Sequence, residues 1–177
     1  MSAQPQDVTV AELETILEAT DARIELIDGR VQLRAAGFNA HADTIANLMS
    51  ALFASARAHG GRAVSESLMR VTADARQGPF PDVAVYCEAD LPTRHGRANP
   101  CLVVEVLSRS TAADDRGRKR RIYLAVESVN QYLVVDTAKR VIDEWQPGFD
   151  AAKRYAYGDT IHLTCPPMSL DLATVFA

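Results

Sequence analysis

Residues 101–107 read CLVVEVL, and how this run is interpreted decides the fold. Six of its seven side chains are apolar and three are valine, the pattern of a strand buried on both faces near the middle of a sheet. Glu105 interrupts that pattern. A buried carboxylate without compensation costs several kcal/mol or keeps its proton, so its surroundings must supply positive charge.

Downstream, Thr111 with Asp114 marks a helix start, expected over about residues 112–127, and QYLVVD (131–136) is an apolar strand after it. Strand, crossover helix and strand predict a right-handed parallel unit. Upstream lie two further strand candidates, RAVSESLMRV (62–71) and PDVAVYC (81–87), separated by the polar, Gly- and Pro-bearing TADARQGPF (72–80). Near the N-terminus, Thr9 and Glu12 have capping-box spacing, with Val8 and Leu13 as a hydrophobic staple, which predicts a helix over about 10–19. Ile24, Leu26, Val31 and Leu33 alternate with polar residues around Asp28-Gly29, a strong hairpin signal. Asn39 is placed to cap a long helix carrying Ile45, Leu48, Met49, Leu52 and Phe53 at helical spacing, ended by Gly60-Gly61.

VIDEWQ (141–146), KRYAY (153–157) and TIHLTC (160–165) look like a closing antiparallel meander, and SLDLATVF (169–176) like a final short helix or turn. With no repeat and no long linker, residues 1–177 are expected to form one domain. It is a mixed α/β (α+β) domain whose central sheet has 101–107 as its middle strand.

The composition, 47% hydrophobic and 24% charged over 177 residues, is that of a globular protein and excludes disordered and fibrous classes. A net charge of −4 argues against coating nucleic acid with the whole surface, though not against a local basic site. Cys87, Cys101 and Cys165 sit in apolar runs without CxxC spacing; they read as reduced thiols in a cytoplasmic protein, not as a zinc site. No secretory leader and no apolar run near membrane-spanning length is present in the sequence, so no membrane role is expected.

Asp82 opens one strand and Glu105 lies inside the next. An antiparallel pairing that brings residue 87 near residue 100 sets the two acids opposite each other on one face. Two carboxylates roughly 5 Å apart repel by about 3 kcal/mol at an effective dielectric near 20. Either one acid stays protonated or salt-bridged as a structural pair, or a hard divalent cation such as Mg2+ or Mn2+ lies between them, with the Val106 carbonyl as a third oxygen.

The run DDRGRKRRIY (114–123) supplies five cations within six positions. Lys119 shares a helical face with Ile122, Tyr123 and Val126 and is expected to point at the sheet, whereas Arg118 and Arg121 lie outward and Arg120 flanks them. An inward lysine beside two carboxylates can neutralise a phosphate oxygen or orient water; the plainer alternative is an i,i+4 ion pair with Asp115. The arginines form a solvated face from which Arg116, Arg118 and Arg120 are candidates for phosphate contact. Glu25, on the first hairpin, is either a third carboxylate of the site or a solvent-facing residue. His41, in the first turn of the long helix, is a candidate accessory residue.

RIELIDGRV, PFPDVAVY, PCLVVEVLSRSTAADDRGRKRRIYLA, NQYLVVD and SLDLATVF resemble, in order and spacing, the Uma-type restriction endonuclease family, a bacterial branch of the PD-(D/E)xK nuclease superfamily. The resemblance covers nearly the whole chain. It implies a restriction-endonuclease-like mixed sheet flanked by helices, a magnesium-dependent site, hydrolysis of phosphodiester bonds in nucleic acid, DNA in the first place, and a homodimer. Pro81-Asp82 matches the PD element and Glu105 the second acid. Leu107 stands where the superfamily lysine usually follows; members of this type draw the lysine from the next helix, which matches Lys119, and an acid from the first hairpin, which matches Glu25. A nuclease-fold module without turnover, acting in nucleic-acid or protein binding, is the alternative that a fold alone leaves open.

Overall fold

The structure, a computed structural model, describes residues 7–20, 22–34, 39–71, 74–86, 95–108 and 112–177. The chain begins with α1 (Val10–Glu18), the hairpin β1 (Ile24–Ile27) and β2 (Arg30–Leu33), the long helix α2 (Asn39–Ala58), and strands β3 (Arg62–Ser65), β4 (Leu68–Met69), β5 (Val83–Tyr86), β6 (Gly96–Arg97) and β7 (Leu102–Val106). A helical crossover follows, built of α3 (Ala112–Asp114), a π-turn (Asp115–Lys119) and α4 (Arg120–Leu124). Strands β8 (Gln131–Asp136), β9 (Val141–Trp145), β10 (Lys153–Ala156), β11 (Thr160–Thr164) and β12 (Pro167–Asp171) and helix α5 (Leu172–Val175) complete it.

Six strands form the main sheet in the order β10-β9-β8-β7-β5-β3, which puts β7 in its interior. β7 runs parallel to β8 and antiparallel to β5, so the sheet is mixed. Every residue of β5, β7 and β8 is buried, which is why their sequences read as apolar runs instead of alternating. Leu102, Val104 and Val106 pack toward α2, which presents Leu48, Leu52 and Ala56 at four-residue spacing. Each such leucine contributes about 1.5–3 kcal/mol by burial. Val103 packs on the other face with Ile122, Tyr123 and Tyr132. Glu105, two residues on from Val103, shares that second face.

Local signals account for the first elements. Thr9 and Glu12 cap α1 reciprocally, with Thr9 N donating to Glu12 Oε2 at 2.8 Å and Glu12 N to Thr9 Oγ1 at 3.4 Å. Asp28 and Gly29 both take positive φ, 52° and 74°, as a two-residue turn matched to strand twist requires.

The structure departs from the expected plan in several places. The 62–71 run divides: β3 joins the main sheet, whereas β4 pairs with β6 in a small parallel ladder. At the C-terminus the meander stops at β10. β11 pairs instead with β12, so residues 169–171 of the expected final helix or turn belong to a strand of a separate hairpin, and the helix is confined to Leu172–Val175. Its alternating burial, with Ile161 and Leu163 inward, suits a one-sided hairpin laid on the core and not a sheet member buried on both faces. The crossover helix ends at Leu124 and contains the π-turn.

The expectation of free thiols is also corrected: Cys101 and Cys165 are disulfide-bonded, with Cα atoms 5.8 Å apart. The bond ties the start of β7 to the end of β11 across 64 residues, a juxtaposition made by tertiary packing. The argument from reduced thiols for a cytoplasmic setting falls with it. Cys87 and Thr111 lie outside the described residues. No described helix is long and apolar enough to cross a membrane.

Candidate metal and phosphate site

The first hairpin has two sides. Ile24 and Leu26 pack with Val10, Leu13 and Leu68 beneath α1. By alternation Arg23, Glu25, Gln32 and Arg34 turn the other way, and all four line a cleft of about 550 Å³ together with His41, Asp82, Glu105, Val106 and Lys119. The polar face of the hairpin is therefore a wall of the cleft, and Glu25 is only 6% exposed.

β5 and β7 set Val83 opposite Val104 and Val85 opposite Leu102. The same register carried one residue further sets Asp82 opposite Glu105, and both acids are buried, at 3% and 2% exposure. Asp82 Oδ1 accepts from Arg34 Nη2 at 3.0 Å, and Asp82 Oδ2 accepts from the Val106 backbone N–H at 2.7 Å. His41 Nε2, from the first turn of α2, lies 3.4 Å from the same Oδ2. Burial opposes the Asp82 charge, but His41, the Val106 N–H and Arg34 together outweigh it and hold the carboxyl below its ordinary range. The hydrogen bond to Asp82 in turn raises the imidazole pKa, with the Val106 backbone assisting.

Glu105 is served differently. Tyr123 Oη donates to its Oε1 at 2.6 Å, and Lys119 Nζ approaches the same oxygen at 3.2 Å. Lys119 is shared: Glu25 Oε2 is 3.0 Å and Asp115 Oδ1 3.7 Å from Nζ. The ammonium thus joins both readings the sequence left open, the inward lysine and the i,i+4 pair. The π-turn buries its first and last residues, Asp115 and Lys119, and such irregular turns concentrate at functional sites. Burial pushes the Glu105 carboxyl well above its ordinary range; Asp82 and Asp115 add to this and Lys119 opposes it. For Lys119, burial works against the charge but Glu105, Glu25 and Asp115 more than offset it, so the ammonium is held protonated.

The remaining candidates sit elsewhere. Arg116 pairs with Asp136 at 3.4 Å and approaches Asp143 at 3.8 Å; Arg118 pairs with Asp114 at 3.0 Å and approaches Asp28 at 3.8 Å. Arg120 stacks its guanidinium 4.1 Å from the centre of the Trp145 ring. All three are thus engaged within the chain. Sequence reading missed Arg34, Asp115 and Tyr123 as members of the site. The available signal for Arg34 was alternation, since it falls on the same side of the hairpin as Glu25 and continues the ladder through Arg34 N to Arg23 O at 2.7 Å.

No three His, Cys, Asp or Glu side chains converge as a ready-made metal cage among the described residues. Magnesium does not require one: it is held by one or two carboxylates, keeps several waters and takes further oxygens from a substrate phosphate. The donor chemistry here fits that pattern, with Asp82, Glu105 and the Val106 carbonyl as hard oxygen donors. Charge fits as well. Glu25, Asp82, Glu105 and Asp115, all buried, face two permanently charged partners, Arg34 and Lys119.

Comparison with known proteins agrees with this architecture. A structure described as a "putative nuclease belonging to DUF820" from Anabaena variabilis superposes with a TM-score of 0.75 over 96% of this chain and 97% of that one, at 14% identity, which establishes a common fold. An uncharacterized protein of Synechocystis sp. is 32% identical over 157 residues, covering 86% of this chain and 82% of its own length. The family model described as "Uma2: Putative restriction endonuclease" matches residues 10–173. On this match and that relative, the chain belongs to the Uma2 family.

Proposed function

We propose that this chain is a metal-dependent nuclease that hydrolyses phosphodiester bonds, with DNA as substrate and Mg2+ or Mn2+ as cofactor. The observation that carries the reading is the opposition of two buried carboxyls on adjacent strands, Asp82 and Glu105, with the Lys119 ammonium 3.2 Å from the second. A divalent ion held by Asp82, Glu105 and the Val106 carbonyl would supply Lewis-acid polarisation of the phosphate and a lowered pKa for attacking water. The chain's own residues orient and neutralise. Lys119 stays charged between its acids, so it acts as a fixed positive group toward phosphate and not as a proton acceptor. Tyr123 and Lys119 together fix the orientation of Glu105, and Glu25 holds the ammonium from its other side. Arg23 stands exposed at the cleft wall, where an incoming phosphate backbone would be met.

The test is cleavage of single- and double-stranded DNA and RNA with Mg2+ by wild type, Asp82→Asn, Glu105→Gln and Lys119→Ala. Loss in all three variants is expected. Equal cleavage by all four proteins would assign the activity to a contaminant or to another site.

One observation favours a second reading, a nuclease-fold module that binds nucleic acid or protein without turnover. Arg34 already pairs with Asp82, and one lysine, Lys119, bridges Glu105 and Glu25, so both proposed ligand acids contact a cation without any metal. Calorimetric titration with Mn2+ separates the two: heat that disappears in Asp82→Asn supports the nuclease, and absence of heat supports the silent module. A homodimer accompanies the nuclease reading, and light scattering checks it.

A further inference from the structure

The following rests on the nuclease reading of the Asp82–Glu105 pair. Any cation approaching Asp82 meets a competitor there, because Arg34 Nη2 lies 3.0 Å from Oδ1 while the Val106 N–H and His41 Nε2 take Oδ2. Arg34 has a second carboxylate within reach, with Glu66 Oε1 3.9 Å from Nη1. The two partners differ in setting: the Asp82 side chain is 4% exposed and that of Glu66 35%. Glu66 is itself anchored by Arg23 at 2.7 Å, and the Arg34 guanidinium lies 5.9 Å from the centre of the Phe80 ring. Burial disfavours the Arg34 charge, and Glu105, Asp82, Glu25 and Glu66 restore it, so the guanidinium is a permanent cation.

A guanidinium and a divalent ion on one carboxylate repel strongly in a partly desolvated cleft. Loading of the ion therefore requires Arg34 to withdraw, and Glu66 is the acid placed to receive it. A planar guanidinium displaced within such a cleft presents paired N–H donors of the geometry that phosphate oxygens accept. Lys119 has no equivalent exit, since three acids hold it at once.

We propose that Arg34 is the competing counter-cation of this site: it occupies Asp82 until a divalent ion displaces it toward Glu66, and there it becomes a ligand for the substrate phosphate. Two measurements on the full chain test this without relying on turnover. One is Mn2+ affinity by calorimetry; the other is the affinity of a fluorescein-labelled duplex DNA in Ca2+. Arg34→Met is expected to bind Mn2+ at least about tenfold more tightly than wild type, and the DNA at least about tenfold more weakly. Arg34→Lys keeps the charge and should stay close to wild type in Mn2+ affinity. Unchanged or weaker Mn2+ binding by Arg34→Met overturns the competition, and unchanged DNA affinity overturns the phosphate role.

Should Arg34→Met fail to fold, Glu66→Gln decides: without the receiving acid Mn2+ binding should weaken several-fold, and an unchanged value overturns the proposal. Asp82→Asn separates this inference from the reading beneath it. If wild type binds Mn2+ and Asp82→Asn does not, while Arg34→Met matches wild type, the metal site stands and the role of Arg34 falls. If Asp82→Asn binds as wild type does, or no protein gives heat, both fall.

Discussion

Asp82 and Glu105 face each other across adjacent strands and are equally buried, yet their surroundings drive them in opposite directions. Asp82 lies one residue before β5 begins, where the arriving hairpin and the first turn of α2 can both reach it; a guanidinium, an imidazole and a backbone N–H surround its two oxygens. Glu105 lies inside β7, between strands on either side, and faces the helical crossover; a phenol and a shared ammonium converge on one of its oxygens. The comparison teaches that burial alone does not set the charge of an acid. At Asp82 the hydrogen bonds from His41 and the Val106 N–H, with Arg34 beside them, outweigh burial, whereas at Glu105 burial prevails over a lysine shared among three acids.

The largest effect should come from removing the shared cation. Lys119→Met keeps much of the side-chain volume but leaves Glu25, Glu105 and Asp115 without it, and breaking such a buried pair costs about 3–5 kcal/mol. Urea denaturation at neutral pH should register that loss. A loss below about 1 kcal/mol, the range of exposed pairs, would mean that the Glu105 half depends on Lys119 no more than a surface acid would.

A smaller and sharper test sets the same amide substitution against itself on the two strands, in chelator-treated buffer. Asp82 has a folded pKa below its ordinary 3.8, so its contribution to stability is present above that value and is lost as pH falls through the folded pKa. Glu105 has a folded pKa above its ordinary 4.5, so folding is favoured at low pH and the contribution is lost as pH rises from that value toward the folded pKa. At pH 7, Asp82→Asn should therefore be destabilising by about 1.5–3 kcal/mol, the worth of hydrogen bonds to a charged group. Glu105→Gln should be neutral or slightly stabilising. Equal losses in both variants would erase the distinction between the two halves.

How much of this was legible in the sequence follows from the range over which each signal acts. The β5–β7 register could be read because two apolar runs joined by one loop have few ways to pair, and Asp82 and Glu105 occupy matched positions in them. The inward placement of Lys119 could be read because Ile122 and Tyr123 mark the buried face three and four residues on. The side on which the hairpin presents Glu25 and Arg34 could not be read from alternation, which separates two faces without saying which meets water. That choice was made by α1, which covers Ile24 and Leu26 and leaves the polar face to the cleft. The Cys101–Cys165 bond and the β11–β12 hairpin are likewise set by packing between distant segments.

The smallest test concerns Tyr123, whose hydroxyl is a partner that no other acid in the site shares with Glu105. Its pKa is driven up by burial and then by Glu105 itself, so the phenol keeps its proton and donates. Tyr123→Phe deletes that donor without disturbing the ring, which packs against Tyr132 with centroids 5.2 Å apart. Because Lys119 remains on the same carboxylate oxygen, the stability loss should stay near about 1 kcal/mol, the ordinary net worth of one hydrogen bond. On the proposed metal-dependent reading, metal affinity should respond more than stability, since a group that orients a ligand is worth about 10–100-fold in binding. Calorimetry with Mn2+ against a thermal melt makes the contrast: weakened binding with a nearly unchanged melt marks Tyr123 as a positioning residue. If the two fall in proportion, Tyr123 serves the fold, and Glu105 depends on Lys119 alone for its orientation.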